Sequence, residues 1–252
     1  MPLYNLDAII LKTFPFKESD FIVILFSPSK GKIRCIAKGC RKLTSSLGRT
    51  IQPMSYGTFL MAQGKNLDVI AQGKVQLTFL NILKDLERLT HGLYALELID
   101  RFLEEPEPSP ELFSLLLNTL KQLDSGGNPE ILLRIYEANL LSCIGYKPEL
   151  EQCIHCKNLE NLSFFSYNMG GVLCLSCKER DGKAETMNTL TLQTLKSCFS
   201  SPLKNDLFIN EPTLSKIKIT LQKFIEIKCE KKIASFQLLK EVGRMTEGIQ
   251  PP

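Results

Sequence analysis

The chain has 252 residues, 44% of them apolar, with 31 Lys and Arg against 27 Asp and Glu. That length fits one large domain or two to three small ones, and that apolar share excludes a wholly disordered chain. No apolar run approaches the roughly 20 residues that span a bilayer, and the N-terminus lacks the basic stretch and apolar core of a signal peptide, so a cytoplasmic protein with no membrane partner is expected. The charge is unevenly placed. Residues 1–80 hold 11 basic and 4 acidic side chains, whereas residues 81–252 hold 20 and 23. Such asymmetry points to a polyanion-facing surface on the N-terminal part.

Residues 7–12 are the first short β-rich run, and residues 21–27 (FIVILFS) are β-branched and too short for a buried helix. Residues 32–38 (KIRCIAK) alternate with period two. Ile33, Cys35 and Ala37 fall on one face, and Lys32, Arg34, Ile36 and Lys38 on the other, so the first face meets a core and the second presents cations. Residues 54–61 and 68–74 are further strands. About five short strands in this span predict a small barrel. From residue 80 to 105 the apolar positions take helical spacing. Ser109-Pro110 starts a second helix that runs to about residue 123, and a third covers residues 130–144 and stops at Gly145. From Thr189 onward the pattern is helical, with Ile217, Leu221, Phe224, Ile225 and Ile227 among lysines.

The most specific motif is Cys153-x-x-Cys156, seventeen intervening residues, then Cys174-x-x-Cys177. Each pair can turn tightly enough to offer two thiolates to one metal, and the spacing fits a four-cysteine zinc ribbon. Phe164-Phe165-Ser166-Tyr167 and Gly170-Gly171-Val172-Leu173 suit a hairpin carrying the second pair. A closed four-thiolate shell has no open position, so the zinc is expected to be structural. Nine cysteines, an odd number, in a chain without a signal peptide indicate reduced thiols and not disulfides. His155 is expected at the surface, outside the ligand set.

A second feature is cationic. Lys30, Lys32, Arg34, Lys38, Arg41, Lys42 and Arg49 lie within twenty residues with no acidic side chain among them. Gly39 and the hydroxyls of Thr44, Ser45 and Ser46 add small and polar groups suited to phosphate contact. Lys32, Arg34, Lys38, Arg41, Lys42 and Arg49 are the expected nucleic-acid-binding residues; a solvated edge strand is the plain alternative. Phe14, Phe16, Phe21, Tyr56 and Phe59 could stack bases, although several of them must serve the core. A P-loop string is absent, and no acidic cluster has metal spacing, so no catalytic residue is assigned and no enzyme is expected.

Three stretches taken in order resemble the RecO family of bacterial recombination mediators. They are Asp7-Ala8-Ile9-Ile10-Leu11-Lys12 with Lys17-Glu18-Ser19-Asp20, Gly31-Lys32-Ile33 and Ala37-Lys38-Gly39-Cys40-Arg41-Lys42; then Leu133-Arg134-Ile135-Tyr136-Glu137 with Ile144-Gly145-Tyr146-Lys147-Pro148; then the two cysteine pairs around Phe165-Ser166 and Gly170-Gly171. The resemblance covers residues 5–180. It implies a multidomain α+β chain: an N-terminal OB-fold β-barrel that binds DNA (1–80), a helical domain (81–149 and 183–252) and an inserted zinc module (150–182). It also implies binding to single- and double-stranded DNA, strand annealing, and help in loading recombinase onto DNA coated by single-strand-binding protein (SSB). The implied partners are RecR, RecF and the SSB C-terminal tail, within the cytoplasm and at the nucleoid. In one departure, Cys40 stands where the family commonly has Ala, and Leu43-Thr44-Ser45 replaces a longer basic run. This implies a weaker or shared contact at the loop. A protein–protein adaptor whose zinc knuckle docks partners is the competing expectation, since residues 81–252 are net acidic.

Overall fold

The computed structural model describes residues 2–42, 44–200, 208–229 and 231–247. Leu43, named above in the basic loop, lies outside them. The chain forms two compact units, Met1–Gly127 with Ile233–Pro252, and Asn128–Lys232.

In the first unit five strands close a barrel: β1 (Leu3–Phe16), β2 (Asp20–Ser27), β3 (Gly31–Ala37), β4 (Tyr56–Ala62) and β5 (Asp68–Leu77), in the order β1-β2-β3-β5-β4. β4 pairs back onto β1, and only β3 and β5 run parallel. This is the expected OB-like arrangement. β1 is longer than residues 7–12 because it serves two neighbours. Its first half pairs with β4 and its second with β2, and a bulge between Ile10 and Lys12 bends it from one to the other. The predicted alternation of β3 holds: Cys35 and Ala37 enter the barrel core with Ile33 packed against it, beside Leu6, Val23, Leu25 and Phe59.

A short helix α1 (Leu47–Thr50) links β3 to β4. The helical stretch after the barrel is two helices, α2 (Leu80–Lys84) and α3 (Leu86–Phe102), not one. Asp85 leaves helical geometry, and its side chain accepts from the Arg88 N–H at 3.1 Å, capping α3. α4 (Pro110–Asp124) starts as predicted, with Ser109 Oγ accepting from the Leu112 N–H. α3 and α4 lie on the barrel. Phe113 of α4 packs on Phe26 and Tyr56, and Asp100 of α3 takes Lys12 Nζ at 3.0 Å and Lys32 Nζ at 3.4 Å. Burial alone would raise the Asp100 carboxyl, but the two ammonium groups outweigh it and hold it below its ordinary value.

In the second unit α5 (Pro129–Cys143) is the central helix, buried along nearly its whole length. Its end is a Schellman motif: Gly145, at φ +78°, donates to Ser142 O, and the Tyr146 N–H donates to Leu141 O at 2.7 Å. Strands β6 (Leu162–Ser166), β7 (Gly171–Cys174) and β8 (Glu185–Thr186) form a small sheet ordered β7-β6-β8, with a 3-10 helix over Leu175–Arg180. α6 (Thr189–Ser200) and α7 (Glu211–Lys228) complete the unit, and Phe224 of α7 meets Phe165 of β6 edge to face.

The last helix, α8 (Ser235–Glu247), belongs to the first unit. The Glu97 carboxylate of α3 accepts from Ala234 N, Ser235 N and Ser235 Oγ at 3.0, 2.8 and 2.6 Å, which caps the start of α8. Among the described residues no helix is long and apolar enough to cross a membrane.

Candidate metal centre and nucleic-acid interface

The four motif cysteines meet in the second unit. Lys157 adopts left-handed φ of +64°, so the chain folds back and the Lys157 N–H donates to Cys153 O, while Cys153 N donates to Asn158 O. This tight turn brings Cys153 and Cys156 together. Cys174 ends β7, and Cys177 follows in the 3-10 helix. All four sulfurs lie within 4.8 Å of one another, with Cys156 and Cys174 at 3.6 Å, and none is in a disulfide. A tetrahedral zinc with bonds of about 2.3 Å sets its sulfurs about 3.8 Å apart, so the spacing fits such an ion. The thiols are unlike one another. Burial would raise Cys153, but backbone N–H groups of Cys156, Cys174 and His155 outweigh it and bring it down to about 6. Burial and the neighbouring sulfurs push Cys177 up to about 12. His155 is exposed as expected, yet its Nδ1 lies 3.6 Å from Cys177 Sγ.

The module has a small core of its own, with Phe164 and Leu173 beside three of the cysteines. It is tied to α7 through Glu185. That carboxylate accepts from Lys223 at 2.6 Å, and from Lys216 and Tyr167 at 3.0 Å each. Chiefly because of Lys223, it is held down at about 2 despite partial burial. A carboxyl depressed on folding stabilises the fold above its unfolded value near 4.3, and that stabilisation fades as pH falls towards 2. Glu185→Gln is therefore expected to cost about 1 kcal/mol at pH 7, a drop of roughly 2–4 °C in Tm. Thermal melts across pH 7 to 3 check it: the gap between the two proteins should close at the acidic end.

The expected cations separate in the first unit. Lys38, Arg41 and Lys42 come together, exposed, on the loop after β3. That loop is stitched to the β1–β2 turn. The Arg41 N–H donates to Ser19 O at 3.0 Å, the Gly39 N–H donates to Asp20 Oδ1 at 2.8 Å, and the Arg41 guanidinium reaches Lys17 O. The Gly39 bond is the main reason the Asp20 carboxyl lies below its ordinary value. Gly39 sits at φ +62°, which favours glycine. Lys17, exposed in the joined turn beside Glu18, adds a fourth cation that charge counting along the loop alone does not find.

Lys32 corrects the sequence reading. It lies on the outward face of β3, as the alternation requires, but α3 covers that face. The residue is 5% exposed, and its Nζ donates to Asp100 O at 2.6 Å. It has no surface to offer a phosphate. Arg34 is exposed but pairs with Glu105 at 3.6 Å, and Arg49 lines a mainly apolar pocket with Met54, Phe79, Leu83, Leu89 and Leu93. Of the five aromatics, Phe59 is core, whereas Phe14 is 47% exposed.

Comparisons with known proteins agree with this architecture. Residues 1–79 match the family model described as Recombination protein O N terminal, and residues 83–236 the one described as Recombination protein O C terminal. The chain is 33% identical over 252 residues to a DNA repair protein RecO of Desulforamulus reducens, covering 98% of both chains. It is 32% identical over 226 residues to that of Bacillus subtilis, covering 89% of each, and 35% identical over 233 residues to that of Dehalococcoides mccartyi strain BAV1, covering 90% of this chain and 91% of the other. With both family models matched in chain order, and such relatives along nearly its whole length, the protein belongs to the RecO family of DNA repair proteins.

Proposed function

We infer that this chain is a non-enzymatic recombination mediator. It binds single- and double-stranded DNA through the barrel, anneals complementary strands, and helps load recombinase onto SSB-coated DNA. The observation that carries this reading is the stitched pair of loops presenting Lys17, Lys38, Arg41 and Lys42 to solvent on an OB-like barrel. Annealing breaks no covalent bond. It requires cations that screen two repelling backbones while leaving the bases free to pair, and exposed ammonium and guanidinium groups on a held backbone do this. RecR, RecF and the SSB C-terminal tail are the partners this role implies, with action in the cytoplasm at the nucleoid.

The four cysteines would hold one structural Zn²⁺. Bound there, zinc would cross-link the Cys153–Cys156 turn to the end of β7. Its four thiolates leave no site for substrate.

A DNA-binding titration over a salt series, with and without RecR, tests the reading. Log affinity should fall linearly with log salt, with a slope of about −0.9 for each phosphate neutralised on a duplex and about −0.7 on a single strand. A flat response would remove the electrostatic basis of the role.

A further inference from the structure

One end of the barrel's outer face carries an apolar strip. The backbone pairings place Phe14 beside Ile22, Ile22 beside Ile36, and Ile36 beside Val69. Val23, Cys35, Ala37 and Ile70, chain neighbours of the last three, are core, and Phe14 lies opposite Ile22, so these four side chains face outward. None is fully buried, and Phe14 is 47% exposed. From Phe14 to Val69 the strip crosses three strand spacings, about 14 Å, wide enough for a few bases.

On β2 and β3 the other end of that face is occupied. Further along the same strands Phe26 lies under Phe113, Lys32 under Asp100, and Arg34 against Glu105. A Cβ on Gly31 would run into the backbone of Glu107. The acidic connection between α3 and α4 thus covers β3 where its own cations begin. A polyanion is kept from that end and left with the open one. There the strip adjoins the cations. Phe16, paired with Asp20, is the next outward position of β1. Lys38 follows Ile36 by two residues, and Lys17 and Arg41 sit in the two joined loops.

We propose that this strip is a base platform for single-stranded DNA, with Phe14 its stacking residue, and that it makes the barrel discriminate single strands from duplex. The proposal rests on the DNA-binding reading and deepens it. The cations hold phosphates of either form. An apolar bed rewards only bases released from a helix, because a duplex turns its base faces inward. Phosphates on Lys17, Lys38, Arg41 and Lys42 bring the bases of one strand over Phe14, Ile22 and Ile36.

The test compares affinities for an oligothymidine strand and a duplex of equal length at one salt concentration. Phe14→Ala should weaken single-strand binding about 10-fold and leave duplex affinity and the salt slope unchanged. The chain contains no Trp, so Phe14→Trp installs its one indole, selectively excited beside the tyrosines, on an exposed site. Its emission should be quenched by the single strand and not by the duplex. Unchanged single-strand affinity in Phe14→Ala, equal loss for both forms, or Trp emission indifferent to the single strand each overturn the platform while DNA binding stands. Unaltered DNA affinities with lost binding of a protein partner would assign the strip to protein contact and overturn the proposal too. A wild-type protein that binds neither form sinks the DNA-binding reading and the platform together.

Discussion

Replacing Lys38, Arg41 and Lys42 together by Glu is expected to lower DNA affinity on the order of 100-fold at low salt, for single strands and duplex alike. Three phosphate contacts vanish and three repulsions replace them. The salt dependence should flatten as well: three lost neutralisations reduce the slope on duplex by about 2.7. The fold should persist, because all three side chains are exposed. Arg41 makes a long contact to Lys17 O and stacks over Phe21 at 6.0 Å, and Lys38 acts on Asp20 through its charge. Exposed positions of this kind change stability by about 0.5 kcal/mol or less each. Arg34→Glu is the internal control. Its guanidinium already faces Glu105, so its effect on DNA should be several-fold smaller. Filter binding or anisotropy over a salt series measures both quantities, with circular dichroism reporting the fold. Undiminished affinity in the triple variant would move the DNA surface off this loop.

Features set by near neighbours were legible in the sequence. The period-two pattern of KIRCIAK placed Ile33, Cys35 and Ala37 inward, and the barrel core contains or abuts all three. Ser109-Pro110 and Gly145 marked a helix start and a helix stop, and the hydrogen bonds of a cap and a Schellman motif stand there. The cysteine cluster was legible for the same reason, since its geometry follows from two tight turns and one hairpin. What failed depended on distant partners. Nothing in β3 signals that Lys32 ends on a carboxylate 68 residues away. The alternation named the correct face but could not say that a helix covers half of it. The full length of β1 was hidden likewise, because Pro15 and the Ile10–Lys12 bulge break its pattern and only its two partners hold it extended. The apolar strip was missed because it is a row across four strands, with one residue from each. No window along the chain contains it.

The same division between local and distant bonds shapes the second large expectation. In Cys174→Ser protein the zinc content should fall from one ion per chain to none, and Tm should drop by roughly 10 °C. The reason is the size of what the metal would hold. Around the cysteines the buried cluster adds Phe164 and Leu173, with Ile154, Leu162, Met169 and Ala184 partly buried against it, too little to fold a hairpin alone. Without the metal four thiols crowd within 4.8 Å, with Cys153 held low and Cys177 pushed up. With it, ligation would supply folding free energy to the segment. The loss is bounded because distant bonds remain: Glu185 still holds Lys216 and Lys223, and Phe165 still meets Phe224. The hairpin should therefore loosen on a unit that persists, seen as faster amide exchange confined to β6 and β7. The cations proposed to contact DNA belong to the other compact unit, Met1–Gly127 with Ile233–Pro252. Below the lowered Tm, DNA affinity should stay within about 3-fold of wild type, less than half a tenfold step of 1.4 kcal/mol. Metal analysis, melts and DNA titration on one preparation separate the two roles. Affinity that falls in step with stability would make the zinc module a direct part of the DNA interface and not a clamp.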